Sequence, residues 1–137
     1  MKTAADIMSA SPQTVAASAT AAEAARLMRE YDVGSLPVAH GDRIVGVVTD
    51  RDLVVRVIAA GLDPATTPVV EVASDGPVTV EASADLDEAL HLMAQHQVRR
   101  LPVVEDDRLV GVIAQADVAR LGKEKQTGEL VEAVSQP

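Results

Sequence analysis

Hydrophobic and polar positions follow the same order twice along the chain. Between Thr14 and Leu53 a short apolar stretch precedes an amphipathic one, two apolar stretches separated by turn residues, and a second amphipathic one. Apolar residues three and four apart predict helices with one buried face, and short apolar runs beside turn residues predict strands. The predicted order is strand–helix–strand–strand–helix, and it recurs between Thr79 and Val118.

These two stretches are copies of one unit. A shift of 65 residues aligns Thr14–Leu53 with Thr79–Val118 without a gap, and 19 of the 40 aligned positions are identical. Two copies are too few for a stacked array, so we expect them to pack face to face about a pseudo-two-fold axis. The fold class predicted is mixed α/β (α+β). The predicted parts are a first motif at 1–61, a linker at 62–68, a second motif at 69–122, and a tail at 123–137 with a short helix.

Capping residues predict where the helices begin. Thr20 followed by Glu23 forms a capping-box pattern, in which each side chain accepts a hydrogen bond from the other residue's backbone N–H. Asp85 and Glu88 are the counterparts in the second copy. Asp50 is predicted to cap the second helix of the first copy.

Composition and charge narrow the class of protein. The chain is 47% hydrophobic with a single aromatic residue, Tyr31, which indicates a globular protein with an aliphatic core. A net charge of −9 disfavours nucleic acid and anionic membranes as partners. There is no cysteine, apolar leader or membrane-length apolar run, so a cytoplasmic protein is expected. No phosphate-binding loop or catalytic constellation is recognisable, and we predict that the protein is not an enzyme.

The repeated motifs resemble the CBS (cystathionine-beta-synthase) domain pair, or Bateman module. Val33–Val38 and Val98–Val103 each place Leu-Pro-Val before a hairpin, and Gly46–Asp52 and Gly111–Asp117 follow it. The resemblance covers nearly the whole chain, and small stand-alone bacterial members of the family are the most similar in organisation. It implies two pseudo-symmetric motifs packed into one module.

The resemblance also implies a ligand. Family members bind adenosine-type ligands between the two copies, where the Asp of a Gly–apolar–x–Thr/Ser–x–x–Asp pattern holds the ribose and the hydroxyl approaches the phosphate. A carboxylate can accept from two neighbouring hydroxyls, which suits that role. Thr49 and Asp52 match the pattern in the first copy. The second copy keeps Asp117 but has Ala114 in place of the hydroxyl residue.

Basic residues before the Leu-Pro pair often meet phosphates in this family. The second copy has Arg99 and Arg100 there, whereas Gly34 and Ser35 of the first copy are uncharged. We therefore predict one good site centred on Thr49 and Asp52, and expect Asp52→Ala to abolish nucleotide binding with little loss of stability. The predicted ligand-binding residues are Thr49, Asp52, Arg99, Arg100, Arg51 as a further cation, Val15 and Val38 as walls near the adenine, and Asp117.

Three functions follow from these patterns. The first is a regulatory sensor that requires no cofactor, binds AMP, ADP, ATP or another adenosyl ligand, and dimerises with itself through its helices. The second is a ligand-independent, stress-associated interaction or scaffold protein, favoured by the incomplete second site. Either function leaves the downstream protein partner unidentified. The third, a metal site built from His40, His91 and His96, has little support because His91 and His96 do not share a helix face.

Overall fold

A computed structural model describes residues 2–10 and 12–121 of the protein. It has the predicted mixed α+β architecture, with each copy contributing a hairpin flanked by helices. The tail at 123–137, for which a short helix is predicted, lies outside the described residues. The elements of the first half are α1 (Ala4–Ile7), β1 (Ser9–Ala10), β2 (Val15–Ala16), α2 (Ala21–Tyr31), β3 (Ser35–His40), β4 (Arg43–Thr49) and α3 (Asp50–Asp52), which continues in wider turns over Leu53–Ile58. Those of the second half are β5 (Ser74–Asp75), β6 (Val80–Glu81), α4 (Leu86–His96), β7 (Arg100–Glu105), β8 (Arg108–Ala114) and α5 (115–121).

The strands form one continuous sheet in the order β2-β3-β4-β8-β7-β6. The two hairpins meet where Arg43 of β4 lies opposite Arg108 of β8. Arg43 pairs with Asp107 at 3.6 Å, and Arg108 pairs with Asp42 at 3.1 Å. Because these residues are 65 positions apart, the two ion pairs are equivalent, and the pseudo-two-fold axis passes between them.

The segments that precede each copy are exchanged between the copies. Strand β1 pairs with β8 of the second copy, and β5 pairs with β4 of the first. Ala4 of α1 is fully buried in the second copy's core, while Val69 and Val72 belong to the core of the first. Each copy's core is therefore completed by residues that precede the other copy.

Helices α2 and α4 begin differently although their sequences correspond. The Thr20 hydroxyl accepts from the Glu23 N–H at 3.2 Å, and the Glu23 carboxylate accepts from the Thr20 N–H at 3.0 Å, as predicted. The Asp85 side chain makes no capping bond, so the predicted second box is wrong. Both helix starts also contact an exchanged segment, since the Leu86 N–H donates to the Lys2 carbonyl at 3.0 Å and the Ala21 N–H donates to the Thr67 carbonyl at 2.9 Å.

Apolar side chains remain exposed on the outer side of α3 and the turn after it. Val54 is 55% exposed, Ile58 67% and Leu62 47%. The equivalent position of α5 has a smaller side chain, since the counterpart of Val54 is Ala119. Among residues 2–10 and 12–121, no helix is long and apolar enough to cross a membrane.

Candidate functional site

The junction of β4 and α3 holds the first predicted pair. The Thr49 hydroxyl accepts from the Asp52 N–H at 3.0 Å, and the Asp52 carboxylate accepts from the Thr49 N–H at 2.9 Å. Thr49, whose backbone is extended, is thus the residue that caps α3, and the prediction that Asp50 does so is wrong. Since Asp52 supports a helix start, replacing it by alanine is expected to cost about 1 kcal/mol, more than the sequence suggested.

The second carboxylate oxygen of Asp52 faces Arg56. The Arg56 Nε lies 3.8 Å from Asp52 Oδ1, and its Nη1 donates to the Val72 carbonyl at 3.2 Å. Asp52 is half-buried, with its side chain 14% exposed. The turns that carry Arg56 are wider than an α-helix, because the Ala59 N–H donates to the Val54 carbonyl five residues back.

The equivalent carboxylate of the second copy is similarly engaged. Asp117 Oδ2 accepts from the Ala114 N–H at 2.8 Å, while Oδ1 pairs with Arg120. The Asp117 side chain is 5% exposed. Ala114 has no hydroxyl with which to return the bond, so one half of the box seen at Thr49 and Asp52 is missing here.

A cavity of about 230 Å³ lies between the copies, and we call it the inter-copy cavity. Its walls come from β3 and β4 of the first copy, β7 and β8 of the second, and the β1 segment. They are mostly apolar, with Arg100 as the cation. The lining residues are Ser9, Ala10, Pro12, Gln13, Val33, Ser35, Leu36, Pro37, Val47, Arg100, Pro102, Val112 and Ala114.

Of the predicted ligand residues, Arg100 is the one that lines this cavity. The cavity reaches Ala114, whose N–H is bonded to Asp117, and does not include Thr49 or Asp52. A second, open depression shares Ser9 with it and is lined by both Asp117 and Arg120. The inter-copy cavity also reaches Val33 and Ser35, and Gly34 between them accepts a hydrogen bond from the Asp50 N–H at 2.9 Å. The cavity therefore approaches the strand ends of both copies.

The remaining predicted residues lie elsewhere. Arg51 is exposed on the first turn of α3, and Arg99 is exposed just before β7. Val15 and Val38 are opposite each other on β2 and β3, at 1% and 0% exposure, in the core of the first copy. These two valines are core residues and do not line the inter-copy cavity. Their contact with an adenine stays a prediction.

Sequence reasoning missed the two arginines that face the aspartates. Arg56 follows Asp52 by four residues and Arg120 follows Asp117 by three, which is the spacing of side-chain neighbours on a helix. That spacing is the signal that identifies them. A search for repeats does not find these arginines, because Arg56 corresponds to Leu121 and Arg120 to Val55.

The three histidines lie on the surface of the part of the chain that the structure describes. His40, His91 and His96 are all exposed. Among the described residues, no three His, Asp or Glu side chains are grouped closely enough to hold a metal ion.

Comparison with known proteins identifies both copies. The CBS domain profile matches residues 4–59 and 69–124. Hypoxic response protein 1 of Mycobacterium tuberculosis (strain H37Rv) is 44% identical over 138 residues, which cover 100% of this chain and 96% of that protein.

Two solved structures are informative about ligands. The crystal structure of Hypoxic Response Protein I with two coordinated zinc ions is 46% identical, with a TM-score of 0.80, over 87% of this chain and 98% of that one. CBSX2 in complex with AMP has a TM-score of 0.80 and 28% identity, over 92% of this chain and 99% of that one. Proteins of this architecture thus include one crystallised with zinc and one with AMP.

Proposed function

Because the chain belongs to the CBS-domain family and is a CBS-pair regulatory protein, we propose that it binds an adenosine-type nucleotide between its two copies. The observation that carries the proposal is the inter-copy cavity, which is apolar except for a few groups and contains Arg100. An apolar slot suits a purine ring, and a guanidinium suits a phosphate because it donates several hydrogen bonds in one plane. CBSX2, which has the same fold, is complexed with AMP.

Two aspartates are candidates for binding the ribose. Asp117 lies beside the open space, in the depression that shares Ser9 with the cavity. Asp52 has Thr49 next to it, the hydroxyl that its counterpart lacks. We propose that the nucleotide occupies the inter-copy cavity and that one of these two aspartates binds its ribose.

Thermal unfolding with AMP, ADP, ATP, S-adenosylmethionine and NAD tests this function. A ligand at about 100 times its Kd stabilises the folded state by about 2.7 kcal/mol, which raises Tm by several degrees. We expect such a rise with at least one adenosyl ligand. It should be lost in Arg100→Met and kept in Arg26→Met, which removes the same charge from the exposed side of α2.

Comparing Asp117→Asn with Asp52→Asn shows which aspartate binds the ribose, since each substitution keeps the shape of the side chain and removes its charge. The panel also includes Zn²⁺, because the similar Hypoxic Response Protein I was crystallised with zinc. If no adenosyl ligand changes Tm, nucleotide binding is wrong and a ligand-independent interaction protein replaces it. That alternative is favoured by one observation: both aspartates already accept bonds from their own copy.

We further propose that the protein is a homodimer that associates through the outer side of α3. Val54, Ile58 and Leu62 expose a contiguous stretch of apolar side chains on adjacent turns. Covering such a surface with a second copy removes it from water, and a two-fold axis allows the same patch to serve both partners.

A further inference from the structure

We propose that Arg56 is a positioning residue that links Asp52 to the segment leading from the first copy into the second. This crossover segment is Val72–Asp75, which ends in β5 and pairs with β4. One guanidinium contacts both ends of the link, since Nε faces Asp52 Oδ1 at 3.8 Å and Nη1 donates to the Val72 carbonyl at 3.2 Å. Arg56 therefore joins a candidate ligand group to the backbone between the copies.

The state of the Asp52 carboxylate determines whether this link is held. Its Oδ2 is used by the Thr49 N–H, so Oδ1 is the atom left to orient the arginine. A guanidinium with two partners loses less rotational freedom in making the second bond than in making the first. Any group that takes Oδ1 from Arg56 is thus expected to loosen the bond to Val72.

Within residues 2–10 and 12–121, the second copy shows no equivalent of this link. Arg120 pairs with Asp117 from a position three residues away, on the first exposed turns of α5. Among the described residues, its one recorded side-chain hydrogen bond is to Asp117. The two aspartates therefore differ: Asp52 is coupled to the crossover segment, and Asp117 is not.

A consequence for ligands rests on the proposed function. A ribose hydroxyl bound to Asp52 Oδ1 displaces Arg56 and frees the crossover segment, whereas a ligand held by Asp117 displaces Arg120 alone. Ligand binding at Asp52 is then transmitted from the first copy to the second through the crossover segment.

Hydrogen–deuterium exchange of the ligand-free full chain tests the link itself. We expect Arg56→Met and Asp52→Asn each to speed exchange of the amides of residues 72–75 by about fivefold, the loss of roughly one hydrogen bond. The double variant should be no faster than Arg56→Met, and Arg120→Met should match wild type. Arg56→Lys keeps the charge without the planar fork and should exchange as fast as Arg56→Met.

Two results would overturn the link. Unchanged exchange in Arg56→Met would show that the arginine does not hold the crossover segment. Faster exchange in Arg56→Met but not in Asp52→Asn would show that Arg56 acts on Val72 without Asp52, which is a structural role alone.

Adding AMP separates this inference from the proposed function. If AMP raises Tm through Asp52, so that the rise is lost in Asp52→Asn, it should also speed exchange at residues 72–75 in wild type and leave Arg56→Met unchanged. A rise in Tm that depends on Asp52 but leaves these amides unchanged would contradict transmission through Asp52. A rise that depends on Asp117 alone should not affect these amides, and faster exchange there would contradict the difference between the two aspartates. AMP that does not raise Tm would contradict the proposed function, while the ligand-free comparison would still decide the link.

Discussion

At the scale of single residues, the two aspartates of the repeated motif already make structural contacts within their own copies. Each accepts a backbone N–H from the last residue of the preceding strand, at 2.9 Å for Asp52 and 2.8 Å for Asp117. Each also faces an arginine on the next helical turn. A ligand must therefore compete with an arginine for one oxygen, which favours ligands that offer two hydroxyls or add a phosphate contact elsewhere.

Gly46 is required because β5 crosses it closely. A Cβ at this position would lie 2.8 Å from the Ser74 carbonyl oxygen, which belongs to the backbone of the paired strand and cannot rotate away. Gly111 meets the Ser9 carbonyl oxygen at 2.9 Å in the same way. The two glycines of the motif thus admit the exchanged strands.

Replacing Gly46 by alanine is predicted to lower the free energy of unfolding by about 1–3 kcal/mol, as overpacking against fixed backbone does. Urea unfolding measures the change. Gly34→Ala is the matched control, since its Cβ would meet the flexible Asp50 carboxylate at 3.2 Å and should cost much less. Equal losses in the two variants would contradict the role given to the crossing strand.

At the scale of elements, the short helix α1 belongs energetically to the second copy. Ala4 is fully buried against that copy's core, whereas its neighbour Ala5 is exposed. The Ala4 N–H donates to the Ala84 carbonyl at 2.9 Å, just as the Val69 N–H donates to the Ala19 carbonyl at 2.7 Å in the other copy. The N-terminal segment is thus part of the second folding unit.

Ala4→Glu is expected to destabilise the protein by at least about 3 kcal/mol, because it buries an unpaired charge. Ala5→Glu adds the same charge to the exposed side and should change stability little. Amide exchange would locate the effect in β7 and β8, far along the sequence. A loss of protection confined to the first copy would show that α1 does not support the second.

The sequence predicts the longer helices and both hairpins, but not the exchange of β1 and β5 between the copies. Helices α2 and α4 and both hairpins follow from apolar spacing and turn residues, and the 65-residue repeat fixes their correspondence. Strands β1 and β5 are only two residues long, so they have no periodicity to detect. Their pairing across the copies is a long-range property that no local sequence pattern contains.

Part of the candidate site could be predicted from the sequence, because some of its residues belong to local motifs. The motif identifies Thr49, Asp52 and Asp117, and the basic pair identifies Arg100. The position of the cavity is set by four strands of two copies and the β1 segment together, which no local pattern contains. Burial of Val15 and Val38 in the first copy's core is likewise set by the fold, and their place near an adenine stays a prediction.

At the scale of the whole molecule, the exposed apolar surface of residues 2–10 and 12–121 is unequal between the copies. Ile58 is 67% exposed and Val54 55%, on the outer side of the first copy. An isologous dimer would place these residues beside their own counterparts. The dimer is therefore expected to depend on α3 more than on α5.

Ile58→Glu should weaken self-association at least about tenfold, since it places two like charges near the two-fold axis of an apolar contact. Sedimentation equilibrium at several concentrations measures this dissociation constant. Val45→Glu, on an exposed strand position of the sheet, is the control and should leave it unchanged. A wild-type chain that stays monomeric at tens of micromolar would contradict the dimer.

The central claim is that an adenosine-type nucleotide binds between the copies with Arg100 at its phosphate. Isothermal titration of AMP into the full-length protein tests it most directly, because it gives affinity and stoichiometry together. We predict saturable binding of about one AMP per chain, with Arg100→Met at least about tenfold weaker and Arg26→Met equal to wild type. No binding heat up to about 1 mM AMP, or equal binding by Arg100→Met, would contradict the account.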